Sequence, residues 1–219
     1  MRRIAAAALL AALAITSGAC APIAWLVAVL APPERIPAVY ELPEGKKVLV
    51  FVDDIARPVR YEAVKRELTE GINDRLLKEK VAAKTVPYER LFRLIASTPE
   101  FNRLYVRDVA RLLGADVVIY VSLDEFILKD TPNVSLWHGK LRTTVRVVEA
   151  GGKQLWPLDR PAGHIVDPVE MPEVMDTSNT YGTQLASQMA ERMAERIARL
   201  FYTHYTSRAM SKTETGDRP

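Results

Sequence analysis

The chain has 219 residues, of which 48% are hydrophobic and 26% are charged, a balance that excludes an intrinsically disordered chain and a multi-span membrane protein. Arg2 and Arg3 belong to an N-terminal targeting segment. The rest of the chain has 28 of the 30 basic residues and 27 acidic residues, so its net charge is close to zero. A near-neutral remainder without a basic patch argues against nucleic-acid binding, and its length suits one domain.

The N-terminus has the pattern of an export signal. Arg2 and Arg3 form a short positive region, and residues 4–15 are an uninterrupted apolar run of the length found in signal peptides. Small residues follow and lead to Cys20, the only cysteine, which cannot form an internal disulfide. We therefore predict a signal peptide over residues 1–19.

Residues 1–20 resemble the bacterial lipoprotein signal, whose lipobox ends in an invariant cysteine. The pattern departs from the commonest lipobox at Ser17, where Leu is most frequent. The resemblance implies that Cys20 is the lipid attachment site and that the domain lies in the periplasm, anchored to a membrane. Ala21 lacks the acidic character that retains some lipoproteins in the inner membrane, which favours the outer membrane.

An uncleaved anchor is the alternative interpretation of the same segment. Residues 4–30 contain no ionisable side chain except Cys20, and a run of this length can span a bilayer. Arg2 and Arg3 would then stay in the cytoplasm, which places the domain on the same side as lipidation does. After cleavage, the segment around Trp25 would instead contact the membrane interface.

The predicted elements of the first half follow a proline-rich stretch. Residues 20–45 are predicted to be the anchor and an extended linker, and a single α/β domain is predicted over residues 46–206. Apolar periodicity predicts a buried strand over 47–52, a helix over 61–80, a weak strand over 82–86 and helices over 88–96 and 104–113. Gly114 is expected to end the last of these helices.

The second half is predicted to contain three strands and a long helix. Strands are expected over 116–128, 135–148 and 153–156, the last two joined by a glycine turn. Residues 157–172 contain four prolines and read as a surface loop. An amphipathic helix is predicted over 177–205 and a flexible tail over 207–219. The fold class is α/β (α+β), with a mixed, largely antiparallel sheet, helices packed on it and a long C-terminal helix.

This order of elements resembles a superfamily of periplasmic lipoprotein domains. The parts that carry the resemblance are Gly114 to Val118 leading into a strand, and two strands joined by a glycine turn that end at Trp156. They are similar to the CsgG-like, penicillin-binding-protein-activator (Lpo) and TolB amino-terminal domains over residues 46–205. The resemblance implies a non-catalytic fold that serves envelope machines by binding other proteins.

Few side chains suggest chemistry. Asp53 and Asp54 follow a strand, where paired carboxylates can hold Mg²⁺, although capping of a turn is the simpler interpretation. His138, His164 and His204 show no ligand spacing, so we expect no metal site and no cofactor. His164 with Asp167 could form an acid-base pair, but no nucleophile motif accompanies it.

Two functional hypotheses result. The favoured one is a membrane-tethered lipoprotein that acts without catalysis, through contacts with other envelope proteins or with itself. The alternative is an exported hydrolase or small-ligand-binding protein with its site around Asp53, Asp54 and residues 157–172. The two are distinguished by whether those carboxylates and His164 converge in one pocket.

Overall fold

The computed structural model describes residues 33–54, 61–129, 135–178 and 180–205. The predicted signal peptide, Cys20, the apolar run to Leu30 and the tail from residue 207 lie outside these ranges. A compact unit comprises Pro37–His204, and residues 33–36 and Tyr205 are the described part of a second unit. In the ranges described, no helix combines the length and the apolar character needed to cross a bilayer.

The elements alternate between strands and helices in the first half and are mostly strands in the second. The strands are β1 (Arg35–Ile36), β2 (Lys47–Asp53), β3 (Lys84–Thr85), β4 (Val117–Ile127), β5 (Leu136–Glu149), β6 (Gln154–Trp156), β7 (His164–Ile165), β8 (Val169–Met175) and β9 (His204–Tyr205). The helices are α1 (Glu62–Lys78), α2 (Tyr88–Ser97), α3 (Val106–Leu113) and α4 (Tyr181–Arg199), with a 3₁₀ turn at Phe101–Arg103.

The sheet of the large unit is mixed and mostly antiparallel, which confirms the predicted fold class. Its order is β3-β2-β4-β5-β6, and β7 and β8 also pair with β5. β2 pairs in parallel with β3 and β4, whereas β5 pairs antiparallel with all of its neighbours. β5 is therefore the strand that organises the second half of the sheet.

Strand alternation divides the core between the two faces of the sheet. The first face is covered by α1 and α4. Apolar side chains spaced four residues apart on α1, such as Leu68 and Ile72, pack there with the methionines of α4, Met189 and Met193, and all four are at 0% exposure. The second face is covered by α2 and α3 only over β2 and the start of β4, around Leu49 and Val118. Fully burying a side chain of this size contributes about 1.5–3 kcal/mol. Because more side chains are buried on the first face than on the second, the first face provides most of the hydrophobic stabilisation.

Two glycines allow features that a side chain would oppose. Gly114 ends α3 in the left-handed conformation with φ of 64°, as the sequence predicts. Gly71 lies where α1 contacts α4, and a Cβ added there would approach the Cβ of Ala194 to 2.9 Å. The close packing of the two helices depends on that missing side chain.

The proline-rich segments are more structured than the sequence predicts. Within residues 157–172, expected to be a loop, lie β7 and the first half of β8, so that expectation is wrong for these residues. Part of the predicted linker also packs on the domain. The backbone amides of Val39 and Tyr40 both donate to the carbonyl of Leu200, and Leu42 is buried.

Candidate functional site

The carboxylates at the end of β2 contact neighbouring side chains. The hydroxyl of Tyr120 donates a hydrogen bond to Oδ2 of Asp53. Oδ1 of Asp54 lies 3.4 Å from Nζ of Lys65 on α1, in a pair whose side chains are about four-fifths buried (21% and 20% exposed). Both contacts fasten the end of β2 to a neighbouring element, which is a structural role.

Tyr120 is the most perturbed ionisable group near this end of the sheet. Burial raises the pKa of Tyr120 far above its ordinary value, and the hydrogen bond to Asp53 and the negative charge of Asp53 raise it further. The guanidinium of Arg146, 4.6 Å from the ring centroid, acts in the opposite direction. The phenol is therefore held protonated, as a donor and not as a base.

The strand register shows that Asp53 and His164 do not converge. Asp53 pairs with Ser122, Ser122 pairs with Thr144, and Thr144 pairs with Ile165. These residues share one face of the sheet, and three strand spacings amount to about 14 Å. His164 pairs with the next residue, Val145, and so lies on the opposite face.

His164 instead belongs to an aromatic cluster. Its ring lies 4.9 Å from the ring of Trp156, which also stacks on Tyr40 at 5.7 Å. Burial, followed by the charge of Arg160, lowers the pKa of His164, and Asp167 opposes this shift. Through Tyr40 and Trp156, the arrangement packs the incoming chain against the sheet.

The histidines and carboxylates do not form a metal centre in the part of the chain that the structure describes. His138, His164 and His204 lie in β5, β7 and β9. No group of three or more His, Cys, Asp or Glu with metal-binding geometry occurs among the described residues. Asp53 and Asp54 therefore belong to no such group of three among the described residues.

The outer side of β5 is polar, as its alternation predicts. Glu125 of β4 lies 3.3 Å from Lys140 and 3.7 Å from Arg142, and the hydroxyl of Thr144 donates to Asp124 at 2.6 Å. These cross-strand pairs stabilise the sheet and balance one another's charge.

A cleft of 360 Å³ between α1 and α2 is the feature that sequence reasoning missed. It is lined by Ala63 and Arg66 of α1 and by Tyr88, Glu89 and Phe92 of α2. The sequence of α2 contained a sign of this cleft, because its apolar residues are not confined to the face that packs on the sheet. Phe92 remains 48% exposed as a result.

Comparison with known proteins adds structural resemblance only. No protein-family model and no curated protein matches the chain. Similar solved structures are the PelC dodecamer from Paraburkholderia phytofirmans (10% identity, TM-score 0.39, covering 78% of this chain and 97% of that one), a minor lipoprotein from Acinetobacter baumannii (12%, 0.34, 70% and 90%) and the rare lipoprotein B from Shewanella oneidensis (15%, 0.32, 77% and 96%). At these TM-scores they assign no function to this chain, and the CsgG-like, Lpo or TolB relationship stays a prediction.

Proposed function

We propose that this protein is a membrane-tethered periplasmic lipoprotein that acts as a non-catalytic accessory or assembly component of a cell-envelope complex. The observation that carries the proposal is the N-terminal pattern, in which two arginines, an apolar run and small residues lead to Cys20. Lipidated Cys20 anchors the chain, and the α/β domain makes the protein-protein contacts.

The arrangement of the ionisable side chains supports a role without catalysis. Asp53 and Asp54 contact Tyr120 and Lys65, and His164 packs on Trp156 on the other face of the sheet. The hydrolase hypothesis needed these groups in one pocket, because a general acid and base must both reach the substrate. Because these groups are separated, the observation that would have supported the hydrolase hypothesis is missing.

The test is the state of the N-terminus in native membranes. The tagged full chain is purified after gentle solubilisation, and mass spectrometry reads its N-terminal modification and its co-purifying proteins. We expect an acylated Cys20 and a reproducible envelope partner. Cys20→Ala should give an unprocessed or released protein, whereas Ser17→Leu, which restores the commonest lipobox residue, should be processed like the parent.

Two results would contradict the proposal. An intact Met1 in both the parent and Cys20→Ala, with unchanged membrane fractionation, would establish an uncleaved anchor in place of lipidation. A correctly acylated protein that reproducibly lacks any partner and self-association would contradict the accessory role.

A further inference from the structure

Residues 37–42, which we call the strap, form an extended segment that packs on the large unit through one side only. Exposure alternates along the strap, since Val39 is 52% exposed, Tyr40 is half-buried and Leu42 is buried. A period of two is typical of an extended chain that lies on a surface. Residues 37–42 belong to none of the described strands, so no sheet ladder holds them.

The contacts of the strap are centred on Tyr40. The backbone amides of Val39 and Tyr40 donate to one carbonyl, that of Leu200 just after α4, at 2.8 and 3.0 Å. The ring of Tyr40 stacks on Trp156 of β6 with centroids 5.7 Å apart and an interplanar angle of 25°. Leu42 joins the core cluster of the first face. Tyr40 therefore makes both a hydrogen bond and the ring contact.

The strap has less support than the strands of the sheet. β2 has five consecutive buried residues and pairs with a strand on each side, whereas Leu42 is the only buried residue of the strap. Ordering an extended segment costs conformational entropy at every residue, which Pro37 and Pro43 reduce because their φ angles are already fixed. A segment with so few buried contacts is expected to open without unfolding the domain.

The place of the strap in the chain links its docking to the membrane anchor. When the strap is docked, the chain that comes from Cys20 first contacts the large unit by hydrogen bonds at Val39. When the strap is released, the first fixed residue is Lys47, where β2 begins. Residues 39–46 then lengthen the connection by at most about 29 Å. Full release also opens the two-residue ladder between β1 and β9.

We propose that the strap is a reversible attachment that sets the distance of the large unit from the membrane. Docked, it shortens the connection to the anchor; released, it lets the unit move away by the length of residues 39–46. The inference rests on the proposed function, because it requires a membrane anchor at the N-terminus. The docking of the strap itself does not depend on lipidation, so the two proposals fail separately.

Hydrogen exchange of the full chain in lipid nanodiscs tests whether the strap opens independently. We expect the amides of Val39 and Tyr40 to exchange at least about tenfold more slowly than in an unstructured peptide and at least about tenfold faster than those of β4. Tyr40→Ala should remove most of this protection and leave β4 unchanged. Tyr40→Phe keeps the ring on Trp156 and should retain the protection, as should the matched control Val39→Ala, which removes only an exposed side chain.

Fluorescence transfer to acceptor-labelled lipids measures the distance of the large unit from the membrane. Cys20 is the only cysteine and is blocked by acylation in the proposed form, so Leu112→Cys on the exposed side of α3 supplies a single site for the donor dye. In this background, Tyr40→Ala should lower the transfer efficiency, because the longer connection lets the domain move away. Val39→Ala should leave the efficiency unchanged.

The inference is overturned if the strap of the parent exchanges as fast as an unstructured peptide, because it is then not docked. It is equally overturned if the strap exchanges as slowly as β4, because it then opens only with the domain. Unchanged transfer in a Tyr40→Ala protein that has lost protection would refute the link between docking and distance. Protection that increases with protein concentration would assign the docked segment to a second copy. An unmodified N-terminus would instead refute the proposed lipid anchor and leave the exchange result valid.

Discussion

Replacing Gly71 by Ala tests whether the contact of α1 with α4 is as tight as the structure shows. In an exposed helix this change stabilises by about 1 kcal/mol, because Gly has the lower helix propensity. Here the added Cβ would lie 2.9 Å from the Cβ of Ala194, a fixed atom, and 3.3 Å from Nη1 of Arg75, which can move. Overpacking of this kind costs about 1–3 kcal/mol. We therefore expect a net loss of about 1 kcal/mol.

The compensating change is Ala194→Gly, which removes the opposing atom. Alone it should cost about 1 kcal/mol through helix propensity. In the double variant the small and large residues have exchanged places, so stability should return to nearly that of the parent, a coupling of about 2 kcal/mol. Urea unfolding of the solubilised full chain, followed by circular dichroism, measures all four proteins. The reasoning is refuted if Gly71→Ala is stabilising or if the two changes are additive.

Two predictions concern pH. Because the pKa of Tyr120 is raised on folding, the stability that its protonated phenol contributes is present below about pH 10 and is lost as pH rises beyond it. The free energy of unfolding should then fall by less than the one-proton value of about 1.4 kcal/mol per pH unit, because solvent screens the partly exposed ring. Tyr120→Phe should reduce this loss at alkaline pH, and it should destabilise the protein by about 1 kcal/mol at neutral pH because the hydrogen bond to Asp53 is removed. The prediction is wrong if the parent and the variant lose stability equally as the pH rises above about 10. His164 has a lowered pKa, so its stabilising neutral form is fully present above about pH 6.5 and is lost as pH falls below it. In His164→Gln, Tm should fall less steeply as the pH is lowered below about 6.5. The prediction is wrong if plots of Tm against pH for the parent and the variant are parallel.

The accuracy of the predictions depended on the length and regularity of each segment. The run from Lys47 predicts a strand buried on both faces, and β2 has five consecutive buried residues. The alternation around Val145 assigns the inner and outer sides of β5, and Leu141 and Val147 are indeed fully buried. In such segments side-chain hydrophobicity alone selects the period, because burying apolar area is the dominant local driving force.

β7 and β8 escaped prediction because their stability comes from pairing with β5, which is distant from β7 in the sequence. β7 has only two residues, and it exists because His164 and Ile165 pair with Val145 and Thr144 of β5. β8 contains Pro172, which cannot donate a hydrogen bond and lies where the register between β5 and β8 shifts, a position that tolerates proline. Nothing in the local sequence distinguishes these residues from a proline-rich loop.

The candidate sites followed the same division. The sequence placed Asp53 and Asp54 at the end of a strand correctly, but it could not show whether His164 would join them. That question depended on the register of three successive strand pairings, β2 with β4, β4 with β5 and β5 with β7, which puts His164 on the opposite face. The cleft beside Phe92 was also invisible, since its walls come from two helices that sequence periodicity treats separately.

The sequence by itself determined the fold class and the positions of the long strands and helices, because each of these depends on composition and periodicity within one segment. It also predicts an export signal that ends at Cys20. Only the tertiary structure decided that Tyr40 stacks on Trp156, that the carboxylates and His164 are separated by the sheet, and that α1 and α2 leave an apolar cleft. These features arise from contacts between segments far apart in the chain, and such contacts are selected by packing and register, which no local pattern encodes.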